Sequence, residues 1–230
     1  MLEQNKVYNL DCLEGLKLLD DNSIDSIVTD PPYKMTKRGK SCRPNWMPNN
    51  MGENVFGDLP IPDTYTWMKE CFRVLKDESH FYTFTSINDI QNFLTQATLC
   101  GFKLHNIISM IKDTGMPNRW YYKQTELVLF FRKGKAKPIN DFTSRDNIKV
   151  IMPKQKDGKL HITQKPLDFI EKLITNSSTE NQIILDPFMG SGTTAVACIN
   201  TNRNYIGFEM DENYYNICQK RLEEAKIINN

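Results

Sequence analysis

The chain has 230 residues, 40% of them hydrophobic, with 29 Lys and Arg against 28 Asp and Glu and a formal charge of +1. That apolar content suffices for a sizeable core and predicts a single domain over residues 1–230. The near-neutral charge excludes a uniformly basic or acidic protein, so any charged partner must be met by local segments.

The polar start, residues 1–6, is no signal peptide, and the longest purely apolar run, residues 127–131, is far short of the ~20 residues of a membrane-spanning helix. A cytoplasmic protein without a membrane partner is expected. Six cysteines (Cys12, Cys42, Cys71, Cys100, Cys198, Cys218) contain no Cys-x-x-Cys pair, which suits buried free thiols. His80, His105 and His161 stand apart from one another and from acidic pairs, and no metal is expected.

Short apolar strands alternate with amphipathic helices along the chain, the pattern of an α/β sheet. Residues 6–9 and 24–29 read as the first two strands, within a segment, 1–33, carrying seven acidic and two basic groups. The second strand closes on Asp30-Pro31-Pro32-Tyr33. Two prolines fix consecutive φ angles and remove two donors, so the Asp30 carboxylate and Pro31 carbonyl can converge as acceptors with Tyr33 beside them. Such a corner would receive a planar NH₂ group; the plain alternative is a strand-to-loop turn.

Residues 34–59 then break the alternation, and 34–52 hold Lys34, Lys37, Arg38, Lys40 and Arg43 with no acid. Met68, Cys71, Phe72 and Leu75 trace one face of a helix, followed by strands at 80–85, 104–111 and 126–131. Between the last two, residues 114–122 interleave polar and aromatic groups, among them Asn118, Arg119 and Trp120. Residues 132–159, rich in Lys and Asp, break the alternation a second time and read as a long loop, and 132–165 carry ten basic and three acidic groups, including Lys133, Lys135 and Arg145. The acid-poor runs suit a phosphate-tracking groove, although either can be a solvated face and Trp120 can pack on the sheet.

Leu167, Ile170, Leu173 and Ile174 mark a further helix before the strand at 182–185. That strand runs into Asp186-Pro187-Phe188-Met189-Gly190-Ser191-Gly192-Thr193-Thr194 and a helix of small residues. Gly190 and Gly192 permit a tight turn and close approach of a ligand to a helix N-terminus. No Lys follows the second glycine, which excludes a P-loop. The strand at 205–208 ends at Glu209, where an acid holds a ribose diol in folds of this kind; Glu209 could equally cap the helix starting near Asp211. Tyr214, Ile217, Cys218, Leu222 and Ala225 give the final core-facing stripe.

In this order of motifs the chain resembles the β-class DNA amino-methyltransferases, a circularly permuted group in which Asp-Pro-Pro-Tyr precedes the cofactor loop. Asn9-Leu10-Asp11-Cys12-Leu13 is similar to the family's adenine-contacting segment, and His161-Ile162-Thr163-Gln164-Lys165-Pro166 to its segment beside the methionine end of the cofactor. The resemblance covers roughly three quarters of the chain, while the presumed target-recognition stretch between Phe131 and His161 is shorter than in many relatives. It implies a Rossmann-like, doubly wound, mostly parallel seven-stranded sheet with one antiparallel strand, and S-adenosylmethionine as cofactor. Asp11, Cys12, Asp30, Thr163, Gln164, Lys165, Asp186, Pro187, Phe188, Gly190, Ser191, Gly192, Thr193, Thr194 and Glu209 are the expected cofactor residues. Asp30, Pro31, Pro32 and Tyr33 are the expected catalytic ones.

The implied reaction is methylation of adenine N6 in DNA. N4 of cytosine is the alternative on the same scaffold, and a DNA regulator without turnover is a second. The initial Asp leans to adenine, since N4-cytosine enzymes more often begin with Ser. Methylation at carbon-5 of cytosine would need a Pro-Cys nucleophile, and none occurs. A homodimer and a cognate restriction endonuclease are further expectations.

Overall fold

The computed structural model describes residues 2–32, 61–116, 121–152 and 165–229. In chain order these form β1 (Lys6–Tyr8), α1 (Cys12–Lys17), β2 (Ile24–Thr29), α2 (Thr64–Val74), β3 (Leu75–Thr85), α3 (Ile90–Cys100) and β4 (Lys103–Met116). There follow β5 (Lys123–Arg132), β6 (Asn147–Val150), α4 (Leu167–Ser177), β7 (Ile183–Asp186), α5 (Thr193–Asn200), β8 (Asn204–Phe208) and α6 (Glu212–Asn229). All eight strands join one sheet in the order β1-β8-β7-β2-β3-β5-β4-β6. β5 runs against both β3 and β4, and every other pairing is parallel.

The sheet is buried on both faces, so its central strands are nearly all apolar and their alternation is read in which cluster each residue joins. Val28, Tyr82, Phe84, Val128, Phe130 and Ile184 face α4, α5 and α6. Their neighbours Ile27, Phe81, Leu129, Phe131 and Leu185 face α1, α2 and α3. Helices on both faces make the sheet doubly wound. β2 continues to β3 on one side, while β7 and β8 lie on the other, so a crevice opens at the carboxyl ends of β2 and β7.

The expected antiparallel strand is there, but the sheet has eight strands, not seven. The eighth, β6, lies in a Lys- and Asp-rich stretch that reads as loop; only Val150 of its four residues is buried. It forms by pairing with Ser109–Lys112 of β4, a tertiary contact without a local signal. Two helical stripes also need correction. Leu75 is the first residue of β3, its N–H still closing onto Cys71 O. Ile217 is turned outward at 39% exposed, while Cys218, Leu222 and Ala225 pack inward. β3 starts five residues early because it bulges against β2: Leu75 pairs with Ile24, and pairing resumes at His80 with Ser26, with Glu78 at φ 57° between.

His80 on β3 is buried in a polar network under the α4 face. Its Nε2 lies 2.9 Å from Lys137 O and its Nδ1 2.7 Å from Ser177 Oγ, which is 2.6 Å from the Tyr82 hydroxyl. Lys137 O can only accept, so Nε2 carries the proton, Ser177 donates to Nδ1 and Tyr82 donates to Ser177. Burial lowers the imidazole to about 4. The folded state therefore resists a proton that the unfolded chain takes near pH 6.5, and stability from His80 is lost as pH falls from ~6.5 to ~4, by about 3 kcal/mol. Asp186, raised by burial to about 6, acts with the opposite sign in much of this window. The effect is accordingly read as a difference: urea denaturation of wild type and His80→Gln should converge as pH falls toward 4, and parallel profiles would remove the imidazole from this role.

Candidate active site

Three strand ends converge at the crevice: Asp30 follows β2, Asp186 ends β7 and Glu209 follows β8. Asp186 is 3% exposed and already fully engaged. One carboxylate oxygen accepts from Thr29 Oγ1 at 2.6 Å and Phe188 N at 3.0 Å, and the other from Thr194 Oγ1 at 2.6 Å. It ties β2, β7 and α5 together, so its side chain holds the crevice in shape.

The loop between β7 and α5 turns through Gly190 at φ 55° and Gly192 at φ 87°, a region that L side chains rarely adopt. A Cβ on Gly190 would meet nothing within 4 Å, whereas one on Gly192 would lie 2.5 Å from Cys218 Sγ of α6. Gly192 is also the N-cap of α5, and no side chain caps that helix. Thr193 and Thr194 of its first turn line the crevice, and an uncapped helix start of this kind can receive an anion or dipole. The back of the loop is braced by Arg221 of α6, which donates to Ser191 O, to Ser191 Oγ at 3.0 Å and to Thr193 Oγ1 at 3.4 Å.

Glu209 stands across the same loop. One carboxylate oxygen accepts from Gly190 N at 2.7 Å and the other from Asp211 N at 2.8 Å. Burial raises its pKa, against those two hydrogen bonds. Asp211 itself caps α6 by accepting from Tyr214 N at 3.0 Å, which leaves Glu209 on the crevice wall with Met210 beside it. Asp11 caps α1, accepting from Leu13 N at 2.8 Å, and lines the crevice with Cys12, whose thiol burial pushes up to about 12. Phe188 and Met189 supply apolar wall.

At the other end of the crevice, Asp30 Oδ2 pairs with Lys165 Nζ at 2.7 Å. Its Oδ1 is buried with no hydrogen-bond partner among the described residues. Burial raises the Asp30 pKa, with Lys165 pulling against it and Glu126 adding to it. Lys165 also lies 3.0 Å from Glu126 Oε2 and 4.7 Å from the centre of the Phe84 ring, and Glu126 Oε1 takes Lys112 Nζ at 2.9 Å. Burial would raise Glu126, but Lys165 and Lys112 outweigh it and hold its carboxyl below the usual range.

Of the expected site residues, Asp11, Cys12, Asp30, Pro32, Lys165, Asp186, Pro187, Phe188, Gly190, Ser191, Thr193, Thr194 and Glu209 line one crevice. Gly192 stands behind it, shaping the loop, and Pro31 is buried beneath. Tyr33, Lys34, Lys37, Arg38, Arg43, Asn118, Arg119, Trp120, Thr163 and Gln164 lie outside the described residues. Glu126, Lys112 and Arg221 were missed; the one signal was a charge opening the otherwise apolar strand at Glu126.

Two of the expected DNA contacts fall elsewhere. β5 is antiparallel, so Glu126 in its first half is at the crevice edge and its end at Arg132 is at the opposite edge, roughly 20 Å away at ~3.3 Å per residue. Lys133 and Lys135 follow that far end. Lys133 is moreover 7% exposed, its ammonium donating to Asn22 Oδ1 at 2.7 Å, Phe72 O at 2.8 Å and Leu75 O at 2.6 Å. It pins the lower ends of α2 and β3. Arg145 is exposed just before β6, at the outer edge of the sheet.

A family model described as DNA methylase, of the N6/N4 type, matches residues 24–220, from the first residue of β2 into α6. The chain belongs to this family of S-adenosylmethionine-dependent DNA amino-methyltransferases. It is 29% identical to the type II methyltransferase M.HinfI of Haemophilus influenzae, over 96% of this chain and 69% of that one. To M.HpaI of Haemophilus parainfluenzae it is 30% identical, over 92% of this chain and 72% of the relative. Among solved structures, M1.HpyAVI in complex with SAM superposes with a TM-score of 0.70 at 28% identity, covering 94% of this chain and 98% of the other. The PvuII cytosine-N4-specific enzyme shares the fold, with a TM-score of 0.73 at 17% identity, over 100% of this chain and 92% of its own. Among the described residues no group of three or more His, Cys, Asp or Glu could hold a metal ion, and no helix is long and apolar enough to cross a membrane.

Proposed function

We propose that this amino-methyltransferase modifies N6 of adenine in a base flipped out of DNA. The observation that carries the reading is Asp30: one carboxylate oxygen is tethered to Lys165 and the other is a buried acceptor with no hydrogen-bond partner among the described residues, at the end of the crevice opposite Glu209. A vacant acceptor of that kind is costly unless a substrate donor fills it.

The crevice residues fit the methyl donor. Glu209 would take the diol, the apolar walls of Phe188 and Met189 would receive a purine and thioether chain, and the acidic wall suits a cation. When bound, S-adenosylmethionine supplies an electrophilic methyl group on a sulfonium. The exocyclic amine is a poor nucleophile because its lone pair is delocalised into the ring. Asp30 and the Pro31 carbonyl would accept its two N–H bonds, favour a pyramidal nitrogen and stabilise the positive charge that grows on it. Asp30, its pKa raised by burial, is then suited to take the proton the product amine sheds. Tyr33 is the proposed stacking platform for the extruded base.

The choice of adenine rests on the initial Asp of the tetrapeptide; the same amine logic would serve N4 of cytosine. Mapping modified bases in DNA from cells expressing the protein tests it: N6-methyladenine at one defined sequence is expected, and N4-methylcytosine would replace it under the alternative. A cytoplasmic location, a homodimer and a cognate restriction endonuclease complete the reading, the last two on the family resemblance alone.

Lys34, Lys37, Arg38, Arg43 and Arg145 are the proposed phosphate contacts, and Asn118, Arg119 and Trp120 the proposed base readers. Loss of one phosphate contact in Arg38→Ala should flatten the slope of log K against log salt by about one unit. Lys135→Ala, at the far edge, should leave it unchanged. Equal slopes in all three proteins would make the first basic run a solvated face.

A further inference from the structure

The pairs at the Asp30 end of the crevice form a row that crosses four strands of chain: Lys112 on β4, Glu126 on β5, Lys165 just before α4 and Asp30 after β2, at successive separations of 2.9, 3.0 and 2.7 Å. The side chains are 21%, 26%, 11% and 27% exposed, so water screens none of the three pairs fully. Placed alone against Asp30, the Lys165 ammonium would close a neutral pair and oppose any positive charge growing on an amine at Oδ1. In this structure it is shared. Glu126 Oε2 pairs with Lys165 by charge at 3.0 Å from the other side without a directed hydrogen bond, and Lys112 occupies Glu126 Oε1.

We propose that Glu126, backed by Lys112, is a positioning residue for methyl transfer: by sharing Lys165 with Asp30, it lets that ammonium anchor one Asp30 oxygen while the carboxylate keeps its negative character toward the amine. Lys112 limits how strongly Glu126 draws Lys165 away, so the tether to Asp30 is kept. The inference rests on the reading that Asp30 receives the amine. Among the described residues, the charged groups facing Asp30 are Lys165 from the α4 side, Glu126 from β5 and, more weakly, Asp186 from β7. The two carboxylates that share Lys165 lie within about 6 Å of each other, close enough for the charge on each to oppose ionisation of the other.

Single-turnover methyl transfer from S-adenosylmethionine to DNA, followed against pH, tests this. Glu126→Gln removes the charge and keeps the shape; it should slow transfer about tenfold with cofactor affinity within about twofold, and move the acid limb of the profile to lower pH. Lys112→Gln should move the same limb the other way, because an unbalanced Glu126 takes more of Lys165 and leaves Asp30 harder to ionise. Opposite displacements are what a merely structural role for the row would not produce. If Glu126→Gln does not fold, the upward displacement in Lys112→Gln decides alone. Unmoved limbs, or limbs displaced in the same direction, overturn the proposal while an inactive Asp30→Ala leaves the reading of Asp30 intact. Full transfer by Asp30→Ala would overturn that reading and this proposal with it.

Discussion

Asp30→Ala is expected to keep its fold and bind S-adenosylmethionine while losing turnover by about 10²–10³, the usual effect of removing one group that stabilises charge in a transition state. The fold should survive because the cation left behind is not orphaned: Lys165 keeps Glu126 at 3.0 Å and the face of Phe84. Cofactor binding should survive because the Gly190 turn and Glu209 are held by each other and by α6, with no contact from Asp30. Turnover should fall in kcat, since Asp30 acts most strongly as charge builds on the amine. A change confined to KM would make it a uniform binding contact and remove it from the chemistry.

Gly192→Val should have the second large effect, on cofactor affinity and stability together. Two costs coincide at this position. A β-branched residue at φ 87° is strained by about 1–3 kcal/mol, and its Cβ would lie 2.5 Å from Cys218 Sγ, an overlap that the buried Cys218 side chain, the loop or α6 must relieve by shifting, at a similar cost. Displacing α6 also displaces Arg221 from Ser191. Calorimetry should register a loss of S-adenosylmethionine affinity of at least about tenfold, with a melting temperature several degrees lower. Gly190→Ala provides the contrast. Its added Cβ meets no protein atom within 4 Å, so the fold should bear only the ~1 kcal/mol of its left-handed φ. Unchanged affinity in Gly192→Val would take the loop out of the cofactor site.

These two positions were also the most legible in the sequence, and for a physical reason. Asp30-Pro31-Pro32-Tyr33 and the Gly190–Gly192 turn do their work within a few residues, through fixed φ angles and strand ends, so local order alone displays them. β2 was likewise read to its exact bounds, its apolar run being closed by prolines. What stayed hidden depends on neighbours brought from afar. Glu126 is explained only by Lys112, Lys165 and Asp30, and Arg221 only by a loop 28 to 30 residues before it. β6 exists only because β4 offers it an edge. Lys133 and Lys135 were misplaced for a related reason: a count of basic residues does not contain strand direction, and the antiparallel β5 carries its terminus to the edge away from the crevice.

The most direct measurement is chemical. Purified protein is incubated with duplex DNA and S-adenosylmethionine labelled on the transferable methyl, and the DNA is hydrolysed to nucleosides and chromatographed, with Asp30→Ala in parallel. The label is predicted to appear as N6-methyldeoxyadenosine with wild type and to fall by about 10²–10³ in rate with the variant. Label in N4-methyldeoxycytidine would contradict the assignment of the base, and undiminished transfer by Asp30→Ala, or no labelled nucleoside at all from wild type, would contradict the account of the site.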